Sequence, residues 1–372
     1  MGKKILITGG AGFIGSHLVD ELLEHGYEVT VLDNLDPQVH GAISAPPAYL
    51  SSHVEFIYAD IRNSEAVKKA IKGTEAVFHF AAAVGVGQSM YQICRYTDTN
   101  NQGTAVLLES LVGSGVEKLI VASSMSVYGE GMYQTAQGEC VDCVSRTPQK
   151  LKNGIWEPLS SNGEYLSAVP TPESKRPDLS SLYALSKYDQ EKMSLMIGRA
   201  YGFDTVALRF FNVYGTRQSL SNPYTGVLAI FASRLLNNKR PFVFEDGKQM
   251  RDFVSVKDVS RACRLALEEP AAADIVINIG SAKSYTILEI ARKISLAVGR
   301  EHINPVVSEK YRVGDIRHCF ADITLASRIL QYTPKVDLIR GLTDMAGWLE
   351  GQVAYDFVES ANEELVKRGL SL

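Results

Sequence analysis

The sequence predicts an α/β protein built on a doubly wound parallel sheet. Three observations carry that expectation. Ile5-Leu6-Ile7-Thr8 reads as a buried strand that runs into Gly9-Gly10-Ala11-Gly12-Phe13-Ile14-Gly15 and then into a helix. Apolar strands and helices go on alternating through the first half of the chain. Each of those strands also ends in a residue suited to a ligand, where such sheets hold theirs.

The opening corner has a physical logic. Gly9 permits the tight turn, Gly12 lets the backbone approach a pyrophosphate, and Gly15 lets the helix pack on the strand. Leu18, Val19, Leu22 and Leu23 recur at helical spacing over Ser16 to His25. Free N–H groups at the helix start favour a phosphate. The glycine spacing, G-x-x-G-x-x-G, belongs to a Rossmann-type dinucleotide site only in context. The context is a second strand, Glu28 to Leu32, ending in Asp33 about 20 residues on. A carboxylate there accepts the ribose hydroxyls and repels a 2′-phosphate, and no Arg adjoins it. NAD is therefore expected over NADP.

Further strands are expected over Val54 to Tyr58, Ala76 to Phe80 and Lys118 to Ala122, with helices over Ser64 to Ile71 and Asn101 to Ser114. Asp60, after the third strand, suits the adenine amino group. Ala81, Ala82 and Ala83 let a cofactor lie against the backbone. From Glu130 to about Ser174 the pattern breaks into Pro, Gly, Ser and Asn, which reads as an insertion at the rim of the site. Leu179 to Ala200 returns to a helix and Thr205 to Phe210 to a strand. Beyond Asn212 strands grow sparse: helices at Thr225 to Asn237, Val256 to Leu267, Ile287 to Val298, Thr324 to Leu330 and Leu338 to Leu349 accompany strands at Pro241 to Phe244 and Ile275 to Ile279. The expectation is an NAD-binding domain over 1–212 and a smaller mixed α/β substrate lobe over 213–372, parts of which return to the first domain.

Composition narrows the class. The chain has 372 residues, 45% of them apolar and 22% charged, with a net charge of −4. No basic run suggests nucleic acid and no apolar stretch is long enough for a membrane span. Lys3 and Lys4 precede a strand, not a signal-peptide core, so a cytoplasmic protein is expected. Five cysteines, an odd count, suit a reducing compartment. Cys140 and Cys143 have a zinc-like spacing but no second pair, so no metal is expected.

Two stretches carry chemistry. Tyr183-Ala-Leu-Ser-Lys187 sets a phenol and an ammonium one helical turn apart. A cation beside a phenol lowers its pKa toward the working pH, which would make Tyr183 a base for a sugar hydroxyl. Ser123-Ser124-Met125-Ser126-Val127-Tyr128-Gly129 closes a predicted central strand, where a hydroxyl can share the substrate oxygen with Tyr183.

Taken in order, these pieces resemble the extended short-chain dehydrogenase/reductases, and within them the nucleotide-sugar epimerases of the UDP-glucose 4-epimerase type. Matching runs include Gly9 to Gly15, Val31 to Leu35, Asp60-Ile61, His79 to Ala82, Ser123 to Gly129, Tyr183 to Lys187, Arg209 to Gly215, Arg251 to Val254 and Arg312 to Asp315. The resemblance implies a catalytic set of Ser124, Tyr183 and Lys187. It places NAD on Gly9, Gly12, Phe13, Ile14, Gly15, Asp33, Asn34, Asp60, Ile61, Ala81, Ala82, Ala83, Asn100, Ser123, Tyr183 and Lys187. It places a nucleoside-diphosphate sugar, linked to UDP, dTDP or GDP, on Ser124, Ser126, Asn212, Arg251, Arg312, Asp315 and Cys319. Cys319 falls where the family has a residue beside the sugar, and the family forms homodimers through two helices.

The implied reaction is epimerisation at C4 through a transient 4-keto sugar, with NAD retained throughout. A dehydratase would need an Asp-Glu pair where Met125 and Ser126 stand. A 4-keto reductase or a 2-epimerase would use the same residues, and a non-catalytic NAD sensor would not need the full set.

Overall fold

The computed structural model describes residues 2–142, 144–312 and 314–371; Cys143 and Val313 lie outside them. Its centre is a seven-stranded sheet. The strands are β1 (Lys4–Thr8), β2 (Glu28–Asp33), β3 (Glu55–Tyr58), β4 (Ala76–His79), β5 (Lys118–Ser124), β6 (Asp204–Phe210) and β7 (Ile275–Ile279). They lie in the order β7-β6-β5-β4-β1-β2-β3, and all pair in parallel. The order reverses between β1 and β4, which opens a crevice at their carboxyl ends.

Alternation along the strands divides the core between the two faces. Ile5 and Ile7 meet Leu18, Val19 and Leu22 of the Phe13–Glu24 helix, with Val259, Ala262 and Cys263 of the Val256–Glu268 helix. Leu6, Leu32 and Val77 face the other way, onto Val67 and Ile71 of one helix and Leu107 and Leu111 of another. Helices therefore cover both faces, as doubly wound sheets require.

Beyond Asn212 the chain builds a second apolar cluster. Phe231 and Leu235, Ile290 and Ile294, and Leu342 and Met345 pack around Tyr214 and Phe253. A small sheet joins Asn212–Tyr214, Met250–Ser255, Ser284–Thr286 and His318–Cys319. Strand β7 and the Val256–Glu268 and Thr324–Leu330 helices return to the large sheet and its core.

Two segments differ from expectation. The helix expected from Asn101 begins instead as a π-helical stretch, Thr97–Gln102, that runs into Gly103–Leu111. The wide turn directs Asn100 inward, where its Oδ1 accepts Ala83 N at 2.7 Å and its Nδ2 donates to Ala83 O and Ser186 Oγ. The stretch after Glu130 is ordered into a three-stranded antiparallel sheet of Met132–Gln134, Cys140–Val141 and Ser167–Val169, over its own cluster of Tyr133, Val144 and Leu166. Strands of two or three residues are too short to leave an apolar period in the sequence.

No helix among the described residues is long and apolar enough to cross a membrane. Among the same residues, no group of three His, Cys, Asp or Glu side chains could hold a metal.

Candidate active site

The crevice widens into one cavity of about 800 Å³. Its floor is the glycine corner. Gly9 has φ +72, and an added Cβ would lie 2.7 Å from Ala81 N. A Cβ on Gly15 would lie 2.4 Å from Gly9 O and 2.7 Å from Gly10 Cα, so helix and strand touch there. At Gly12 an added Cβ meets only Gly9 O, at 3.2 Å; that face is left bare for a ligand. Phe13 and Ile14 line the same floor.

Asp33 ends β2 inside the cavity wall. Its carboxylate accepts Ala11 N at 3.0 Å and Leu35 N at 2.9 Å, which ties the glycine loop to the strand end. Burial pushes its pKa up, against the two amides and His40, whose Nε2 lies 3.7 Å away. Asn34 donates to Asp60 at 3.0 Å, and Arg62 clasps both Asp60 oxygens at 2.8 and 2.9 Å. Arg62 holds the Asp60 carboxyl down at about 2. Ile61 and Arg62 line the cavity while Asp60 stands behind them, its oxygens taken. Ala81, Ala82 and Ala83 form the wall beyond β4, held from behind by Asn100.

The chemical centre lies at the end of β5. Ser181 caps the Leu182–Tyr201 helix by accepting Ala184 N, and this puts Tyr183 in the first turn and Lys187 one turn on. Ser89 Oγ accepts Tyr183 N at 3.0 Å, fixing the helix start against the loop after β4. Tyr183 and Ser124 both line the cavity, and the Ser124 hydroxyl acts to lower the Tyr183 pKa. Ser126 donates to Ser124 Oγ through its hydroxyl, at 2.8 Å, and its backbone N–H, at 3.1 Å. Ser124 is thus left to give its own proton to the phenol or a substrate. Ser123 turns the other way, onto Glu191 at 2.8 Å, a carboxylate also held by Arg209.

One electrostatic expectation is corrected. Lys187 does not lower the Tyr183 pKa. Its ammonium donates to Gln190 Oε1 at 2.8 Å, at the end of a buried chain through Thr104 and His79 to Thr8. Burial pushes the phenol up to about 12, with only Ser124 opposing it, and pushes Lys187 down to about 7. Desolvation outweighs the attraction that the sequence spacing suggested.

The far end of the cavity carries the two arginines. Arg312 donates to Asp315 Oδ2 at 2.9 Å and stacks 4.4 Å over the Phe244 ring. Arg251 lines the cavity, but its guanidinium donates to the carbonyls of Met250, Arg317 and Ile316, which leaves it fewer free donors. Asn212 also lines the cavity, with a buried Oδ1 that has no partner.

Two further expectations fail. Cys319 does not line the cavity: it is buried among Met125, Tyr128, Phe211 and Ala321, with its sulfur 3.9 Å from Thr171 Oγ1. Ile316 is the residue of that segment that faces the cavity. The insertion after Glu130 does not form the rim, since no described residue of it lines the cavity. The sequence reading missed the C-terminal helix Val358–Lys367, which puts Ala361 and Leu365 into the wall. Its amphipathic period was the available signal.

The family profile described as the NAD dependent epimerase/dehydratase family matches residues 5–148 and 159–280. The chain belongs to that family. An epimerase of this group, the dTDP-L-rhamnose 4-epimerase of Burkholderia thailandensis, is 35% identical over 358 residues, covering 94% of this chain and 95% of that one. The UDP-glucose 4-epimerase of Thermotoga maritima, solved with UDP-glucose, superimposes with a TM-score of 0.75 at 32% identity, covering 93% of this chain and 98% of that one. The Thermus thermophilus UDP-glucose 4-epimerase, solved with NAD, gives 0.74 at 29% identity, covering 94% and 100%. As a member of the family this chain uses NAD, and the bare face at Gly12, the Asp33 carboxylate and the open alanine wall fit that dinucleotide.

Proposed function

We propose that the protein is an NAD-dependent epimerase of a nucleoside-diphosphate sugar, acting at C4 with Tyr183 as the base. The observation that carries this reading is the set of Ser124, Tyr183 and Lys187 on the cavity wall. It lies in one cavity with the glycine corner on one side and Arg251 and Arg312 on the other. The similarity to 4-epimerases of dTDP- and UDP-linked sugars supports the choice of C4.

Bound NAD supplies reversible hydride exchange, which lets C4 pass between alcohol and ketone with no outside reductant. The rest belongs to the chain. Ser124 hydrogen-bonds the sugar oxygen and holds it near the phenol. Tyr183 takes that oxygen's proton and later returns it. Lys187 would hold the nicotinamide ribose and so bring a cation to the site. Arg312, Asn212 and the free donors of Arg251 hold the diphosphate, so the sugar can turn while its anchor stays fixed. Asp315 orients Arg312. Met125 and Ser126 supply no acid–base pair for elimination, which separates this site from a dehydratase.

Residues 213–372 mainly bind the nucleotide sugar. The Gly103–Leu111 and Leu182–Tyr201 helices join two copies, supported by the exposed Leu185 and Met196 on the second; light scattering would report the dimer. The unbridged Cys94, Cys140, Cys263 and Cys319 suit the cytoplasm. Purified protein should release NAD on denaturation, read by mass spectrometry; protein that turns over sugar without any bound nucleotide would overturn the reading.

A further inference from the structure

None of the described residues of the insertion after Glu130 lines the cavity, yet one of its buried guanidinium groups, on Arg146, bonds residues next to the cavity wall. Arg146 is almost wholly enclosed, with 4% of its side chain exposed. Its Nε donates to Glu130 at 3.0 Å, its Nη1 to Glu245 at 2.7 Å, and its Nη2 to the carbonyl of Asp315 at 2.6 Å. Each partner leads to the site. Glu130 directly follows the run from Ser123 to Gly129 that carries Ser124. Glu245 follows Phe244, the ring on which Arg312 lies. Asp315 is the carboxylate that orients Arg312.

The same carboxylates are shared. Glu130 accepts the backbone N–H of Arg317 at 2.8 and 2.9 Å, and Glu245 accepts Arg317 Nη1 at 3.0 Å. Glu157, also from the insertion, meets the other side of Arg317 and His318 Nε2. The segment carrying Arg312 and Asp315 is therefore clamped from behind.

We propose that Arg146 is a positioning residue for nucleotide-sugar binding: the insertion acts through it to hold Phe244 and Asp315 so that Arg312 is preset for the diphosphate. Arg146 touches no ligand. Its three-way fork does what a lysine cannot, because a point charge can satisfy Glu130 and Glu245 but loses the planar third bond to Asp315. This rests on the reading of Arg312 as a diphosphate ligand.

The test uses the NAD-loaded enzyme and isothermal titration with UDP and dTDP, each against its own nucleoside. Arg146→Lys should weaken the diphosphate about tenfold, as loss of a charge-assisted hydrogen bond would, and leave the nucleoside within about twofold. KM for the nucleotide sugar should rise with kcat and NAD content unchanged. Arg146→Lys/Arg312→Ala should bind the diphosphate no more weakly than Arg312→Ala alone. If Arg146→Lys folds poorly, Arg146→Met/Glu245→Gln removes the charge pair together and should give the same selective loss. Wild-type diphosphate binding in either variant, equal loss for the nucleoside, or additive losses in the double variant would overturn the inference. If Arg312→Ala itself binds diphosphate normally, the Arg312 reading falls first, and the two failures are told apart.

Discussion

Lys187 Nζ rests 2.8 Å from Gln190 Oε1, so the ammonium one helical turn from the base is bonded away from it. Burial is the dominant influence on the Tyr183 phenol, with Ser124 opposing it. In NAD-free protein it should stay protonated well past neutrality, with a pKa of about 12. The phenolate absorbance of wild type minus Tyr183→Phe should then remain near zero to about pH 10, the ordinary tyrosine value. It should appear at lower pH once NAD is loaded, because the cofactor's positive ring and a redirected Lys187 both favour phenolate. Identical titrations with and without NAD would reject the idea that cofactor binding prepares the base.

Ser126 and Ser124 predict a graded effect. Ser124→Ala removes a hydroxyl that lines the cavity with the phenol, and kcat should fall on the order of 10²-fold. Ser126→Ala removes only the 2.8 Å donation to Ser124 and should cost much less, about tenfold or below. Steady-state kinetics on the two variants checks the order; a larger loss at Ser126 would contradict it.

The glycine corner separates folding from binding. Gly15→Ala would drive a methyl onto Gly9 O and Gly10 Cα, backbone atoms that cannot step aside, and should lower Tm sharply. Gly12→Ala meets only Gly9 O at 3.2 Å and should fold, yet carry little or no NAD. Thermal melts and nucleotide content distinguish the two; NAD at full occupancy in Gly12→Ala would contradict the assignment.

How much of this was legible in sequence depends on how local each signal is. The strand, turn and helix of the glycine corner lie within 25 residues, and Asp33 follows at a set distance, so sterics and hydrogen bonding expose them directly. Ser124 and Tyr183 were legible because a strand end and a capped first helical turn fix their places. The partner of Lys187 was not, since the choice between Tyr183 and Gln190 is made by burial. Cys319 was misplaced because a one-residue shift in how the 316–319 segment sits exchanges an inward side chain for a lining one, and Ile316 took that role. Arg146 reads as an ordinary surface charge until folding brings together residues 99 and 169 positions further along the chain.

Cys319→Tyr follows from that correction. A ring introduced among Met125, Tyr128, Phe211 and Ala321 overpacks a closed cluster and should destabilise the fold by about 1–3 kcal/mol. The ratio of kcat/KM for N-acetylated and plain sugar nucleotides should not change. A stable variant with altered discrimination would restore Cys319 to the sugar site.

His79 and His17 give the pH dependence of stability. Burial holds His79 at about 3 and His17 at about 4, below the ordinary 6.5. Between those values and 6.5 the unfolded chain binds protons that the folded chain does not, so stability falls as pH drops below 6.5. Each group adds a slope of about 1.4 kcal/mol per pH unit within its window. Urea unfolding from pH 7 to 4.5 should show a shallower decline for His79→Gln than for wild type, even though the variant starts less stable through loss of its Thr8 and Thr104 bonds. Parallel declines would contradict the assignment to His79.

The central claim is C4 epimerisation by a retained cofactor and the Tyr183 base. The most direct measurement is NMR of a panel of UDP-, dTDP- and GDP-sugars incubated with purified protein and no added cofactor, with Tyr183→Phe in parallel. At least one sugar should reach a stable mixture of its two C4 epimers with wild type, at a rate about 10²–10⁴-fold above that of Tyr183→Phe. Inversion at C2, accumulation of a keto product, or equal rates in the two proteins would contradict the account.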